Sequence, residues 1–419
     1  HAPPPVAGGR RWGWCPPPRV ATRAAAAALA LWVVGTAEPF PLYWAAWLLT
    51  GGPAPTPRAF THGCAPRVGG GGVGVGGSGD GRGAAAAPSA RLAYVVPLIP
   101  RQVPRLVDSL AAWGDAAGRP CGPPAAPAEP PVDLVFLTDG PAWAPADRAA
   151  VAAALPPPAR ACFTRVRFLG AGLSGPASVN THAVALASGT VSTGGSNAQF
   201  RAALAVDALA AAGREAVVAA GAAADAAAGG AAADAAAAGG GGRDAPGAAA
   251  AGALLAAAYD VAFYGEPDTW PLRARWLAAL QAAADAAVAT GAWVVGSPMR
   301  YAPKFNVAAE PARGAYARHI NGNALYRLGD PCFAAYLTAV RGAYGDAAFD
   351  VAMNLYRSGL RRARVAQDTA WRFAYTDVVA HLSLTAFDVG RLREELPHTY
   401  LVHGKARMVR PGQWGFLKY

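Results

Sequence analysis

Glu266-Pro267-Asp268 holds the residues of this chain best placed to do chemistry. Its two carboxylates, one residue apart, follow a mostly apolar run that begins at Tyr259. They therefore meet solvent together, where a buried strand gives way to a loop. Hard oxygen donors in such a pair suit a divalent cation of the Mg²⁺ or Mn²⁺ kind. The plain alternative is a surface turn, since Pro-Asp is a common turn pair. The apolar run before the pair and the Trp270-Pro271-Leu272-Arg273 segment after it favour the first account.

Two further clusters could complete a site. His319-Ile320-Asn321-Gly322-Asn323 sets two asparagines around a glycine, and each amide offers a donor and an acceptor to a hydroxyl-rich ligand. An ordinary turn held by its own backbone bonds explains the same residues. Tyr400-Leu401-Val402-His403-Gly404-Lys405 ends a short apolar strand in a histidine and a lysine. The histidine could fill out a metal shell and the lysine could meet a phosphate as a point charge; a solvated surface pair is the alternative. Asp346 and Asp350, four apart, can share a helix face. Either could act as a general base toward a hydroxyl, or both could be solvated charges. Asp368 and Asp377 are further candidates. Gly170-Ala171-Gly172-Leu173-Ser174-Gly175 matches the dinucleotide pattern in form, but no Asp or Glu occurs between Asp147 and Asp207. The acid that would meet a ribose is missing, so this stretch reads as a loop.

Positioning these residues takes a sheet. Apolar strands are expected at 92–99, 132–137 and 163–169, with helices at 103–113 and 146–155 between them. That alternation is the signature of an α/β layer with a mostly parallel sheet. Further on, the pattern predicts a helix at 276–288, a short strand at 293–295, a helix around 331–344 and a closing segment at 399–404. Residues 208–257 are alanine and glycine with a few charges and no periodicity, which reads as an insertion, partly helical at best.

The chain has 419 residues, but Gly 50 and Pro 37 mean a core smaller than that length suggests. The net charge of +11 comes from dispersed residues with no block of five or six, so nucleic acid is not expected as a partner. An anionic nucleotide or a membrane surface accounts for the charge equally well. Five scattered cysteines with no CxxC pair exclude a zinc ribbon or a thioredoxin-like site and leave disulfides or buried thiols. In residues 1–50, Arg10, Arg11, Arg19 and Arg23 precede two apolar runs interrupted by Glu38, Pro39 and Pro41. This order reads as a secretory signal or a signal anchor with membrane association, and the alternative is a disordered leader or a transit peptide. Residues 51–90 read as a flexible Gly/Pro-rich stem, and no Gly-Lys-Ser/Thr follows the glycines to make a P-loop. The folded domain is expected over 91–410, with 411–419 as a tail.

Taken in order, the opening strand, the acidic element at 266–268, the Asn-Gly-Asn turn and the late His403 resemble a GT-A glycosyltransferase, of the nucleotide-diphospho-sugar transferase superfamily. The whole set is also similar to transferase-like proteins of green algae and other protists. The resemblance implies a Rossmann-like, mixed, mostly parallel sheet flanked by helices, with the Ala/Gly-rich insertion added. It implies a nucleotide-sugar donor, a glycan or glycoprotein acceptor, and a divalent metal, Mn²⁺ or Mg²⁺. In its terms Val96, Pro97, Arg101 and Asp139 would lie along the nucleotide, and Lys405 near its phosphates. Glu266, Asp268 and His403 would hold the metal, and His319, Asn321, Gly322 and Asn323 would face donor or acceptor sugar. Asp350 or Asp346 would be the base if the reaction inverts. A Golgi or secretory location, anchored as a type II membrane protein, goes with this resemblance; a catalytically silent carbohydrate-binding or scaffold protein is the alternative on the same fold.

Overall fold

Strands buried on both faces need apolar residues at consecutive positions, and the chain supplies them early. In the computed structural model, described over residues 89–122, 131–173, 194–238, 248–301, 319–345, 348–358, 368–382, 389–404, 406–410 and 413–416, β1 (Leu92–Leu98) and β2 (Val132–Thr138) are buried along their whole length. The leader, nearly all of the stem, Asp346 and Lys405 lie outside the described residues. The remaining strands follow in chain order. They are β3 (Val166–Gly170), β4 (Val261–Tyr264), β5 (Thr269–Pro271), β6 (Val294–Gly296), β7 (Met299–Tyr301), β8 (Ala324–Arg327), β9 (Phe373–Tyr375), β10 (Val379–Leu382), β11 (Leu401–His403), β12 (Ala406–Arg410) and β13 (Gln413–Phe416).

The central sheet has the order β3-β2-β1-β4-β8-β6-β9. Among the described strands of this sheet only β8 runs against the others. A second sheet, β5-β11-β10-β7, stands beside the end of β4. The result is a mixed α/β architecture with a mostly parallel sheet flanked by helices, as the sequence led us to expect.

Helices cover both faces. On one, Tyr94, Val96, Leu134, Phe136 and Phe263 pack with Leu106 and Leu110 of the helix Val103–Ala111 and with Trp276, Leu277 and Leu280 of the helix Trp276–Thr290. Tyr94, Trp113 and Trp276 meet ring to ring there, and the Trp276 indole N–H donates to the Gly118 carbonyl at 3.1 Å. Buried indoles are favourable when the N–H is satisfied in this way. Beneath this face a disulfide joins Cys121 to Cys162. On the other face Phe200, Tyr264, Tyr326 and Phe349 form an aromatic cluster.

The alanine-rich stretch departs from expectation. It forms a helical stretch Val206–Ala238, broken by a kink at Gly213, and the helix Ala248–Ala258, and Ala251, Ala253, Leu254, Leu255 and Ala256 are buried in the fold. Small side chains let helix backbones approach closely, so a featureless composition here reflects tight packing. Gly252 shows how close: a Cβ there would sit 2.1 Å from the Ala202 carbonyl oxygen. In an exposed helix Gly→Ala gains about 1 kcal/mol. We expect Gly252→Ala instead to destabilise the protein by about 1–3 kcal/mol through overpacking, read by chemical denaturation. A gain in stability would show that this helix does not pack as described.

Candidate functional site

In open α/β sheets ligands bind outside the carboxyl ends of the strands, where the strand order reverses. Here β1 is followed by β2 on one side and paired with β4 on the other, so the reversal lies between β1 and β4. The chain leaves β4 at Gly265, and the next residues are Glu266, Pro267 and Asp268. The acidic pair thus stands at the mouth of that crevice.

The second sheet brings the histidine to it. β11 pairs antiparallel with β5, which sets His403 opposite Thr269. His403 Nε2 lies 3.0 Å from Glu266 Oε2 and 3.2 Å from Asp268 Oδ1. One ligand atom from each of these three residues falls within 4.8 Å of the others. Asp268 is buried, while Glu266 is the more exposed partner. Burial alone would raise the Asp268 carboxyl, but the charges of His403 and Arg105 outweigh it and hold the group below its usual range. Burial would likewise lower the His403 imidazole, and the two carboxylates instead push it up to about 10.

Several side chains hold the acidic turn. Asn323, fully buried, accepts through Oδ1 from the Glu266 backbone N–H at 2.7 Å and from the Thr269 hydroxyl at 2.7 Å. Asn321 Oδ1 in turn accepts from the Asn323 backbone N–H and its side-chain amide. The Ser109 hydroxyl donates to the Thr269 carbonyl at 3.0 Å. Gly322 lies against the site: a Cβ there would come 3.0 Å from the Phe349 ring and 3.5 Å from Glu266 Oε1.

Three of the expected site residues are held in these contacts. Asn323 has its hydrogen-bonding groups engaged inside the protein and supports the acidic turn. His319 is buried with Nε2 3.4 Å from Asp350 Oδ2. Asp350 accepts from the Gly322 N–H at 3.0 Å and from the Val351 N–H at 2.8 Å. Burial would raise its carboxyl, but His319 and these N–H groups bring it below the usual range; its oxygens anchor the Asn-Gly-Asn loop instead of facing an acceptor hydroxyl. Asp346 and Lys405 fall outside the described residues.

The expected nucleotide residues divide by burial. Val96 and Pro97 are buried within β1, so their side chains belong to the core. Arg101 is exposed in the turn that follows, and Asp139 is half-buried just past the end of β2. Between them the buried Gln199 amide donates to the carbonyls of Leu98 and Leu137 at 3.1 and 2.8 Å, closing the ends of both strands. Two residues of the site escaped the sequence reading. Arg105, on the helix after β1, reaches Asp268 Oδ2 at 3.4 Å with 41% of its side chain exposed, and no sequence pattern tied it to Asp268. His381 lies beside His403, and here a signal existed: Val379-Ala380-His381 repeats the apolar-then-histidine order of Leu401-Val402-His403.

A cavity of about 570 Å³ opens instead near the amino ends of β1, β2 and β3, lined by Arg91, Asp133, Arg165, Arg167 and Tyr259 among others. Arg91 is paired with Asp260, Arg167 with Asp133, and Tyr259 donates to Asp133. The converging Glu266, Asp268 and His403 lie at the other end of the strands.

Among solved structures the chain is similar to a galactosyltransferase, LgtC, in complex with donor and acceptor sugar analogues, with a TM-score of 0.36, 10% identity and 77% of this chain and 88% of that one covered. It is also similar to mouse xyloside xylosyltransferase 1 in its apo form, with a TM-score of 0.36, 9% identity and 76% and 98% coverage. No family model and no curated protein matches the chain, so the likeness to green-algal and protist proteins finds no support there. Among the described residues no helix is long and apolar enough to cross a membrane.

The His403 shift predicts a pH dependence. A histidine raised from 6.5 to about 10 in the folded state contributes stability that is fully present below its unfolded value and lost as pH rises toward the folded one. In the presence of a chelator, the melting temperature should fall between about pH 6.5 and pH 10 more steeply in the wild type than in His403→Gln. Equal slopes would show that His403 carries no proton between the two carboxylates.

Proposed function

We propose that this protein is a glycosyltransferase that moves a hexose or pentose from a nucleotide-diphosphate sugar to a hydroxyl of a glycan or glycoprotein. The observation that carries the reading is the convergence of Glu266, Asp268 and His403 at the mouth of the crevice between β1 and β4. Two carboxylate oxygens and one imidazole nitrogen fit a divalent cation that accepts oxygen and nitrogen donors, such as Mn²⁺ or Mg²⁺, and leave further positions open. Bound there, the cation would neutralise negative charge on a diphosphate.

The protein's own residues account for the rest of the donor site. Arg105 has one N–H group on Asp268 and others exposed, and a guanidinium beside a diphosphate would favour the charge that develops as the sugar leaves. Ile99–Arg101 and Asp139 line the carboxyl edge where a nucleoside would lie. The Asn321–Gly322 loop, anchored by Asp350, borders Glu266 and would bound the sugar side. With the Asp350 oxygens engaged by backbone N–H groups, this aspartate is not proposed as the base. The basic-then-apolar order of residues 1–50 supports a secretory or Golgi location with a type II membrane anchor.

The second reading is a catalytically silent carbohydrate-binding or scaffold protein on the same fold. It is favoured by His403 itself, since a protonated imidazole balances both carboxylates without a metal. Thermal denaturation of the full chain with UDP- and GDP-sugars, with and without Mn²⁺, separates the two. We expect one donor to stabilise the protein only with Mn²⁺, by about 2.7 kcal/mol at a hundredfold excess over its Kd, and Asp268→Ala to abolish the effect. Arg105→Ala should weaken the same stabilisation while leaving Mn²⁺ binding in place. A folded protein that ignores every donor would favour the silent reading.

A further inference from the structure

His381 is 1% exposed, and its Nε2 has no hydrogen-bond partner among the described residues. Its other nitrogen is engaged: His381 Nδ1 lies 3.2 Å from His403 Nδ1. The contact is built into the strands, because β10 and β11 pair in parallel with His381 directly opposite His403. Two ring nitrogens at this distance form a bond only if one carries the proton and the other does not. On its far side His403 Nε2 faces Glu266 and Asp268. With a cation held there, Nε2 turns its lone pair to the ion and the ring's proton is on Nδ1. His403 then donates and His381 accepts, which leaves the His381 proton on its buried Nε2.

We propose that His381 is a positioning residue of the candidate cation site: its Nδ1 accepts the His403 Nδ1–H and fixes that ring with Nε2 toward Glu266 and Asp268. The inference rests on the cation-site reading given above. Metal-binding histidines commonly donate their second N–H to a carboxylate, a backbone carbonyl or a water, which fixes the tautomer and the ring plane. Here a second, neutral imidazole takes that part. It orients the ligand without adding a negative charge to a corner that already holds two carboxylates. The Nε2–H of His381, without a partner among the described residues, is the consequence of the arrangement: one nitrogen must be an acceptor, so the other must keep its proton.

Two measurements on the full chain test this. The first is Mn²⁺ affinity, from electron paramagnetic resonance of the free ion, for the wild type, His381→Leu and His381→Asn. Loss of the acceptor in His381→Leu should weaken binding by about 10–100-fold. The Asn side-chain oxygen stands near the position of Nδ1 and can accept the same N–H, so His381→Asn should bind much closer to the wild type. The second is ¹⁵N NMR of selectively labelled histidines in the wild type loaded with diamagnetic Mg²⁺, where His381 should show a bare Nδ1 and a protonated Nε2. Equal Mn²⁺ binding by the wild type and a folded His381→Leu would overturn the positioning role while leaving the cation site standing. A protonated His381 Nδ1 would overturn it too. Wild-type protein that does not bind Mn²⁺ would remove the cation site and this role together.

Discussion

Two carboxylates and an imidazole share one corner of this protein, and the surrounding structure keeps them together. Glu266 and Asp268 would repel each other if left bare, and Asp268 is too buried for water to screen it well. His403 and Arg105 supply the opposing charge from two different elements, a strand of the second sheet and the helix after β1. Such a corner can be balanced by a protonated histidine or by a metal ion, and the exchange of one for the other ties ligand binding to proton release. The small sheet β5-β11-β10-β7 makes this possible, since the β5–β11 seam brings His403 against the turn after β4.

The polar groups around the corner work mainly on its geometry. Asn323 holds the Glu266 N–H and the Thr269 hydroxyl, Asn321 holds Asn323, and Asp350 with His319 holds the loop between the two asparagines. Buried polar networks of this kind rigidify when fully satisfied. The motif that read as a sugar-facing turn is thus largely a brace, with Gly322 its closest point to Glu266.

How much of this was legible beforehand depended on the range of the interaction. The central strands, the helix at 331–344 and the acidic element could be read from apolar runs and their ends, because burial on both faces leaves a local signature in β1 and β2. The sequence named Glu266, Asp268 and His403 together, and the fold brings these three residues side by side, although His403 lies far along the chain from Glu266. What Asn323 and Asp350 hold was not legible, because a turn residue's partners cannot be inferred from its neighbours. Arg105 was missed for the same reason, since its contact with Asp268 joins two elements set by the sheet order, whereas the repeated apolar-then-histidine order at 379–381 did mark His381. The alanine-rich helices were misjudged because a period cannot show when nearly every residue is the same size and apolar.

The most direct test of the cation site is anomalous diffraction at the manganese edge from crystals of the protein grown with Mn²⁺ and a nucleoside diphosphate. One strong peak is expected at bonding distance, about 2 Å, from Glu266 or Asp268 oxygen and His403 Nε2, with diphosphate density on its open side toward Arg105. A nucleotide bound in the crevice with no manganese at these three residues, or manganese bound only elsewhere, would contradict it.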